Sequence, residues 1–328
     1  MNYLKPFKKI LIIRTSSIGD IIHALPFLIS LKKSFPEKEF YWLVKPSYSP
    51  LLQKNPFLSG IVYDRFPNLS SLSDLKKGNF EIAFDLQGLL RTAIIPVLVG
   101  IPHRWGWKRP KEKVTKFYNV TFWSFSLHMV ERYLDWVEFL GGKGCAEFPL
   151  PENQEWRRRA KDFFSTYPSP RVLLLPGGGW ENKRWPVKKF SILAFLLSQE
   201  GFSVFVMWGP GEEILARYIE DKSKGKAIVL PPLDIFGMIE FLREVDIVVG
   251  GDTGPLHIAA ALGKKVVGLY GPTDYRRNGP YTCFKKVFFS KRKCSPCWKR
   301  KCPLTPAPCM EEISVREVRE AVEKLSEN

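Results

Sequence analysis

The sequence predicts an α/β protein built from two doubly wound, parallel-sheet domains. Short apolar, β-branched runs alternate with stretches of helical character along most of the chain, which is how parallel strands joined by crossover helices read. Those runs end in turns rich in Gly, Ser, Thr and Asp, and the 328 residues suffice for two cores of ordinary size. Where two such sheets face a common cleft, ligands sit at the carboxyl ends of the strands.

Ile10-Leu11-Ile12-Ile13 is the first buried strand. The turn Thr15-Ser16-Ser17-Ile18-Gly19 follows, then a helix over 20–35 in which Pro26 implies a kink or a late start. Residues 40–44 form a second strand, and 82–86 a strand that leads into Gln87-Gly88. The stretch 149–170 is charged, bracketed by prolines and contains a helix over 154–166. The domain boundary falls there, giving a first domain over 1–152, a linker over 153–170 and a second domain over 171–312. The second strand series runs 172–175, 203–207, 227–230, 245–249 and 265–270. A last helix within 313–328 aligns Val315, Val318, Ala321 and Leu325 on one face, which is expected to pack back towards the first domain.

Lys and Arg number 50 against 33 Asp and Glu, a net charge of +17. Such an excess answers to an acidic partner, whether nucleic acid, an anionic membrane surface or a polyanionic substrate, or serves solubility alone. The longest apolar stretch, 93–101, is interrupted by Pro96 and Gly100 and falls well short of the roughly 18 residues that span a bilayer. Residues 1–9 do not read as a signal peptide, because Arg14 and Asp20 follow the apolar run so closely. The expected location is cytoplasmic.

The richest segment is Gly250-Gly251-Asp252-Thr253-Gly254-Pro255-Leu256-His257. It follows an apolar run, and Pro255 suits a first helical turn. Amides at such a helix start carry partial positive charge and hold phosphate without a lysine. Pro176-Gly177-Gly178-Gly179-Trp180-Glu181-Asn182-Lys183 is a second open loop after a strand, and Lys183 adds a point charge. Trp208-Gly209-Pro210-Gly211-Glu212-Glu213 offers carboxylates suited either to a ribose diol or to capping the next helix. Together these loops predict a nucleotide diphosphate ligand. In the first half, Ser16, Ser17 and Gly19 let a substrate approach the backbone, and Asp20 serves either as a carboxylate in the opening or as a helix cap. No G-x-G-x-x-G opens the first turn, which argues against a dinucleotide-dependent oxidoreductase.

Taken in order, these motifs resemble the lipopolysaccharide heptosyltransferases. The matching residues are Thr15-Ser16-Ser17-Ile18-Gly19-Asp20 with His23, Asp85-Leu86-Gln87-Gly88-Leu89, Lys183-Arg184-Trp185-Pro186, Trp208-Gly209-Pro210, Asp252 to His257, and Tyr270-Gly271-Pro272-Thr273-Asp274. The resemblance implies the GT-B fold, two Rossmann-like domains facing a central cleft, and inverting, metal-independent transfer of heptose from ADP-heptose to a Kdo–lipid A acceptor. By the same resemblance Asp20 is the general base. Gly178, Gly179, Lys183, Trp208, Glu213, Asp252, Thr253, Gly254 and His257 hold the donor, with Glu213 on the ribose. Ser16, Ser17, Gly19, Gln87, Arg91 and Arg104 face the acceptor. Where type I enzymes of the family carry paired threonines before the lysine, this chain has Gly178-Gly179, so backbone amides must stand in for hydroxyls. A type II enzyme, or another nucleotide-sugar transferase of this fold, is the alternative.

Arg91, Arg104, Lys108, Arg109, Lys111 and Lys113 are interleaved with Trp105 and Trp107. This pattern suits an anionic, lipid-anchored acceptor and contact with the inner-membrane surface. It also suits single-stranded nucleic acid or a solvated loop. Since the phosphate-site loops argue against a nucleic-acid-binding protein, no nucleic acid partner is expected. Finally, Cys294, Cys297, Cys302 and Cys309 have spacing compatible with a structural zinc, with disulfides or with packed thiols. No cofactor is required for the chemistry.

Overall fold

The computed structural model describes residues 3–65, 67, 69–304 and 308–327. The chain divides into two compact units, Met1–Pro151 and Glu152–Asn328.

In the first unit, β1 (Lys9–Ile13), α1 (Ile18–Ser34), β2 (Glu39–Val44), β3 (Gly60–Tyr63) and α2 (Leu69–Lys77) form one half. The other half is β4 (Ile82–Asp85), α3 (Leu90–Leu98), β5 (His103–Trp107), β6 (Val120–Phe122) and α4 (Met129–Phe139). The six strands are parallel, in the order β3-β2-β1-β4-β5-β6. Central β1 is buried from Ile10 through Ile13, as a strand covered on both faces must be. The helix expected from residue 20 starts at Ile18 and runs through Pro26. Proline removes one internal amide bond there, but α1 is buried from Ile21 to Leu31, and packing outweighs that loss.

The second unit opens with α5 (Gln154–Phe164), β7 (Arg171–Leu175), α6 (Val187–Gln199), β8 (Ser203–Val206), α7 (Glu213–Lys222), β9 (Ala227–Val229) and α8 (Ile235–Arg243). It continues with β10 (Ile247–Gly251), α9 (Gly254–Ala261), β11 (Lys265–Tyr270), α10 (Tyr275–Asn278), β12 (Lys285–Phe289), α11 (Pro308–Glu311) and α12 (Val315–Ser326). Its parallel strand order, β12-β11-β10-β7-β8-β9, repeats the winding of the first unit. The stretch expected to be a linker is mostly α5, whose Phe164 packs edge-on against Phe205 at 4.8 Å.

The last helix buries Val318, Ala321 and Val322 in the core of the second unit with α6, β10 and β11. Two sequence expectations are corrected here. The strand expected over 245–249 is displaced towards its glycines, which pair with Gly268 and Leu269 of β11. A Cβ at Gly250 would lie 2.7 Å from the Leu175 side chain, and one at Gly251 2.7 Å from the Lys183 carbonyl, so close approach of neighbouring chain demands glycine at both. Trp105 and Trp107, read as surface aromatics, sit on β5 and are each 6% exposed.

In both units the strand order reverses beside the first strand, between β1 and β4 and between β7 and β10. Ligands of doubly wound sheets bind at the carboxyl side of such a reversal.

Candidate functional site

At the reversal in the first unit, the loop after β1 meets the loop after β4. The Arg14 side chain is 3% exposed; it donates from Nη1 to the Leu86 carbonyl at 3.0 Å and pairs through Nη2 with Asp20 Oδ1. Asp20 Oδ2 accepts from the Ser17 amide at 3.2 Å and the Ser17 hydroxyl at 3.0 Å, a capping arrangement at the head of α1. Cap and exposed carboxylate are therefore one and the same, since the Asp20 side chain keeps 26% exposure. Burial by itself would raise its pKa, but Arg14, then Lys111, then the two Ser17 bonds outweigh burial and hold it well below the ordinary carboxylate range.

Gln87 joins the site from behind. Its Oε1 accepts from the Thr15 amide at 2.8 Å and the Thr15 hydroxyl at 3.0 Å, and the residue is 6% exposed, so it positions the first loop rather than facing a ligand. Asp85 does the same for its own loop, accepting from the Gln87 and Gly88 amides, Thr92 and the Tyr118 hydroxyl. Arg91 reaches the Thr15 hydroxyl at 3.1 Å and forms an ion pair with buried Asp64. Ser16 and Asp20 are half-buried, Ser17 is exposed and Gly19 is buried. Arg104 does not join them. It lies near the start of β5, opposite Ala83, and donates to the carbonyls of Phe117, Ile101 and Pro102, so its charge belongs to the far end of the sheet.

The second unit carries a matching arrangement. Lys183, in the loop after β7, places Nζ 2.7 Å from Asp252 Oδ2, directly after β10. His257 Nε2 lies 3.0 Å from Asp252 Oδ1. Although burial alone would raise the Asp252 pKa, the His257 hydrogen bond and the Lys183 charge hold it well below the usual range. The Lys183 ammonium stands 4.2 Å over the Trp180 ring, which fixes it further. Thr253 caps α9 without using its side chain on the helix, and its buried Oγ1 has no hydrogen-bond partner among the described residues. Gly254 opens the helix and Pro255 has no amide, so the first-turn N–H groups and the Thr253 hydroxyl surround a ready position for an anion. A Cβ at Gly179 would meet nothing within 4 Å, so that face of the glycine loop is open to a ligand.

Two donor expectations change. Glu213 points away: its side chain is 51% exposed and pairs with Arg217. The neighbouring Glu212 takes the interior position, accepting from the Gly178 amide at 2.8 Å and the Gly209 amide at 3.0 Å. The register of α7, which begins at Glu213, separates the two carboxylates, and the pair Glu212-Glu213 in the sequence does not reveal which one turns inward. Trp208 contributes structure, since its indole N–H is committed to the Leu230 carbonyl at 2.8 Å. Arg14 was given no role from the sequence, and Thr273 was named only within the Tyr270 to Asp274 motif. Thr273 is 1% exposed and its hydroxyl is unpartnered among the described residues; its place just past β11 in the Gly271-Pro272-Thr273 turn was the available signal.

A cavity of about 480 Å³ lies beside the glycine loop, lined by Arg184, Asn182, Trp185, Arg300, Lys301 and Met310 among others. Lys183, Asp252 and His257 are not part of its lining, so it is separate from the Lys183–Asp252–His257 cluster. The cysteines are free; Cys309 is buried, Cys297 and Cys302 are half-buried and Cys294 is exposed. Burial, followed by the charges of Cys302, Cys297 and Cys294, pushes the Cys309 thiol up. Among the described residues no group of three or more His, Cys, Asp or Glu is arranged to hold a metal ion. No helix among them is long and apolar enough to cross a membrane.

Comparison with known proteins matches this geometry to a family. Lipopolysaccharide heptosyltransferase 1 of Pseudomonas aeruginosa is 27% identical over 91% of this chain and 88% of its own length. The Escherichia coli K12 protein of the same name is 27% identical over 83% and 91%. Among solved structures, a family 9 glycosyl transferase from Veillonella parvula superposes with a TM-score of 0.83 at 20% identity, covering 99% of this chain and 98% of that one. The E. coli heptosyltransferase WaaC with ADP gives 0.74 at 23%, covering 97% and 99%, and both share the fold described above. Residues 69–307, most of the chain, match glycosyltransferase family 9 (heptosyltransferase), and with the two reversal-point sites in place the chain belongs to that family of glycosyltransferases.

Proposed function

We propose that this enzyme transfers heptose from ADP-heptose to the Kdo–lipid A inner core of lipopolysaccharide, inverting the anomeric centre and using no metal ion. The observation that carries the donor half is the Lys183–Asp252–His257 linkage at the head of α9. It joins a cation and a helix N-terminus at one reversal point, beside the open face of Gly179, the combination a leaving diphosphate needs. Lys183 and the α9 amides take the charge that a divalent metal supplies elsewhere, and Thr253 donates its hydroxyl.

The first unit supplies the base. An acceptor hydroxyl attacks the anomeric carbon, the bond from that carbon to the phosphate oxygen breaks, and ADP leaves with the electron pair. The hydroxyl proton passes to the Asp20 carboxylate. Asp20 is a weak base beside Arg14, but the hydroxyl becomes acidic as its new bond to carbon forms, so a weakly basic carboxylate that is ionised before the attack is sufficient. Arg91 offers the acceptor's anionic groups a partly exposed guanidinium. A lipid-anchored acceptor places the enzyme on the cytoplasmic face of the inner membrane as a peripheral protein.

Mass spectrometry of the products from ADP-heptose and Kdo–lipid A tests the proposal. A gain of one heptose is expected. No gain on that acceptor, with a gain on an already heptosylated one, would reassign the chain to the type II reaction. No gain on either would overturn it.

A further inference from the structure

The loop between β6 and α4 turns two apolar side chains outward: Phe125 is 92% exposed and Leu127 69%. The segment is braced. Buried Ser124 hydrogen-bonds Asp135 and accepts the Ser126 amide at 3.0 Å, and His128 caps α4 through the Val130 amide. Trp123, at the base of the loop, carries the Arg109 guanidinium 4.6 Å over its ring and stands edge-on to Phe125 at 6.4 Å. Held this way, Phe125 and Leu127 stay in water by construction, which the hydrophobic effect opposes unless something covers them.

Their surroundings indicate what does. The segment 108–113 is tied to β6 through the Lys108 amide and the Phe122 carbonyl at 2.8 Å. It is also tied to the head of α3, where Glu112 accepts the Leu90 amide at 2.5 Å. Lys108, Arg109, Lys111 and Lys113 are all exposed there, with Glu112 as the only acid in the segment. Two protruding apolar side chains are too small an area for a stable protein interface, which buries about 800 Å² per partner. Apolar tips beside an exposed cationic segment fit the boundary of an anionic bilayer, tips among the acyl chains and cations at the headgroups.

We infer that the 123–127 loop and the cations of 108–113 dock this protein on anionic phospholipid bilayers, with Phe125 and Leu127 entering the interface. The purpose of such docking rests on the lipid-borne acceptor proposed above, but its test does not. The full chain is floated with vesicles of phosphatidylglycerol and phosphatidylethanolamine, then with phosphatidylcholine alone. Wild type is expected to bind the anionic vesicles and to lose most binding on neutral ones or in high salt. The double variant Phe125→Ser/Leu127→Ser, altered only at exposed positions, is expected to bind at least about tenfold more weakly. Its transfer to a delipidated acceptor should stay within about twofold of wild type. Equal binding by variant and wild type, equal binding to both vesicle types, or no vesicle binding at all would overturn the inference. So would concentration-dependent self-association that the double variant abolishes in the absence of vesicle binding. Failure of heptose transfer with vesicle binding intact would instead strike at the proposed reaction.

Discussion

At Asp20 one carboxylate both caps α1 and faces solvent, and buried Arg14 keeps it ionised. Replacing it by Asn preserves size and some capping while removing the proton acceptor. Turnover of Asp20→Asn should fall by about 10²–10⁴-fold, with ADP-heptose affinity by calorimetry changed by less than about threefold; undiminished turnover would remove Asp20 from the chemistry. Asp252 makes a statement about stability. Its folded pKa is depressed, chiefly by His257 and Lys183 acting against burial. Its contribution is therefore fully present above the ordinary carboxylate value of about 3.9 and is lost as pH falls from there towards the folded value. Denaturant unfolding of wild type and Asp252→Asn should show a stability gap that is constant from about pH 5 to 7 and narrows below about pH 4. A gap that widens in acid would contradict the assigned direction.

Among the elements, the glycine loop after β7 depends on what its neighbour α7 sends into it. A Cβ at Gly177 would sit 1.9 Å from the Glu212 carboxylate, which holds the amides of Gly178 and Gly209. Gly177→Ala should displace Glu212, raise the donor KM several-fold and destabilise the protein by about 1–3 kcal/mol through the lost charged hydrogen bonds. Steady-state kinetics and thermal unfolding measure both, and an unaltered KM would show that the loop does not shape the donor position. The C-terminal helix tests the core in the same way. Val318 of α12 is fully buried against the second sheet, so Val318→Ala should lower stability by about 1–3 kcal/mol while leaving KM for both substrates unchanged.

Across the whole molecule, the two units repeat one winding order, and each brings two loops together where that order reverses. Thr15 meets Gln87 in the first unit and Lys183 meets Asp252 in the second. The charges that would receive a diphosphate are thus contributed by protein groups, so turnover should be unaffected by EDTA in the assay. A loss of activity in EDTA that added divalent ions restore would refute metal-independent transfer.

Alternating apolar runs were enough to reveal the two-sheet architecture, because buried parallel strands must be continuously apolar and must be followed by polar turns. The same logic marked the segments that carry Asp20, Lys183, Asp252 and His257, because each segment follows such a run with a cluster of Gly, Ser or Thr. Short edge strands such as β3, β6 and β12 left no comparable trace, being partly exposed and few in residues. Tertiary structure alone decided which of two adjacent carboxylates turns inward at Glu212, which arginine lies beside Asp20, and that Arg104 belongs to the other end of its sheet. Composition and periodicity report whether a residue is buried and along what kind of element. The direction of a charged side chain depends on which partners the folded chain brings within reach, whether close in sequence, as Asp20 is to Arg14, or distant, as Gly178 is to Glu212.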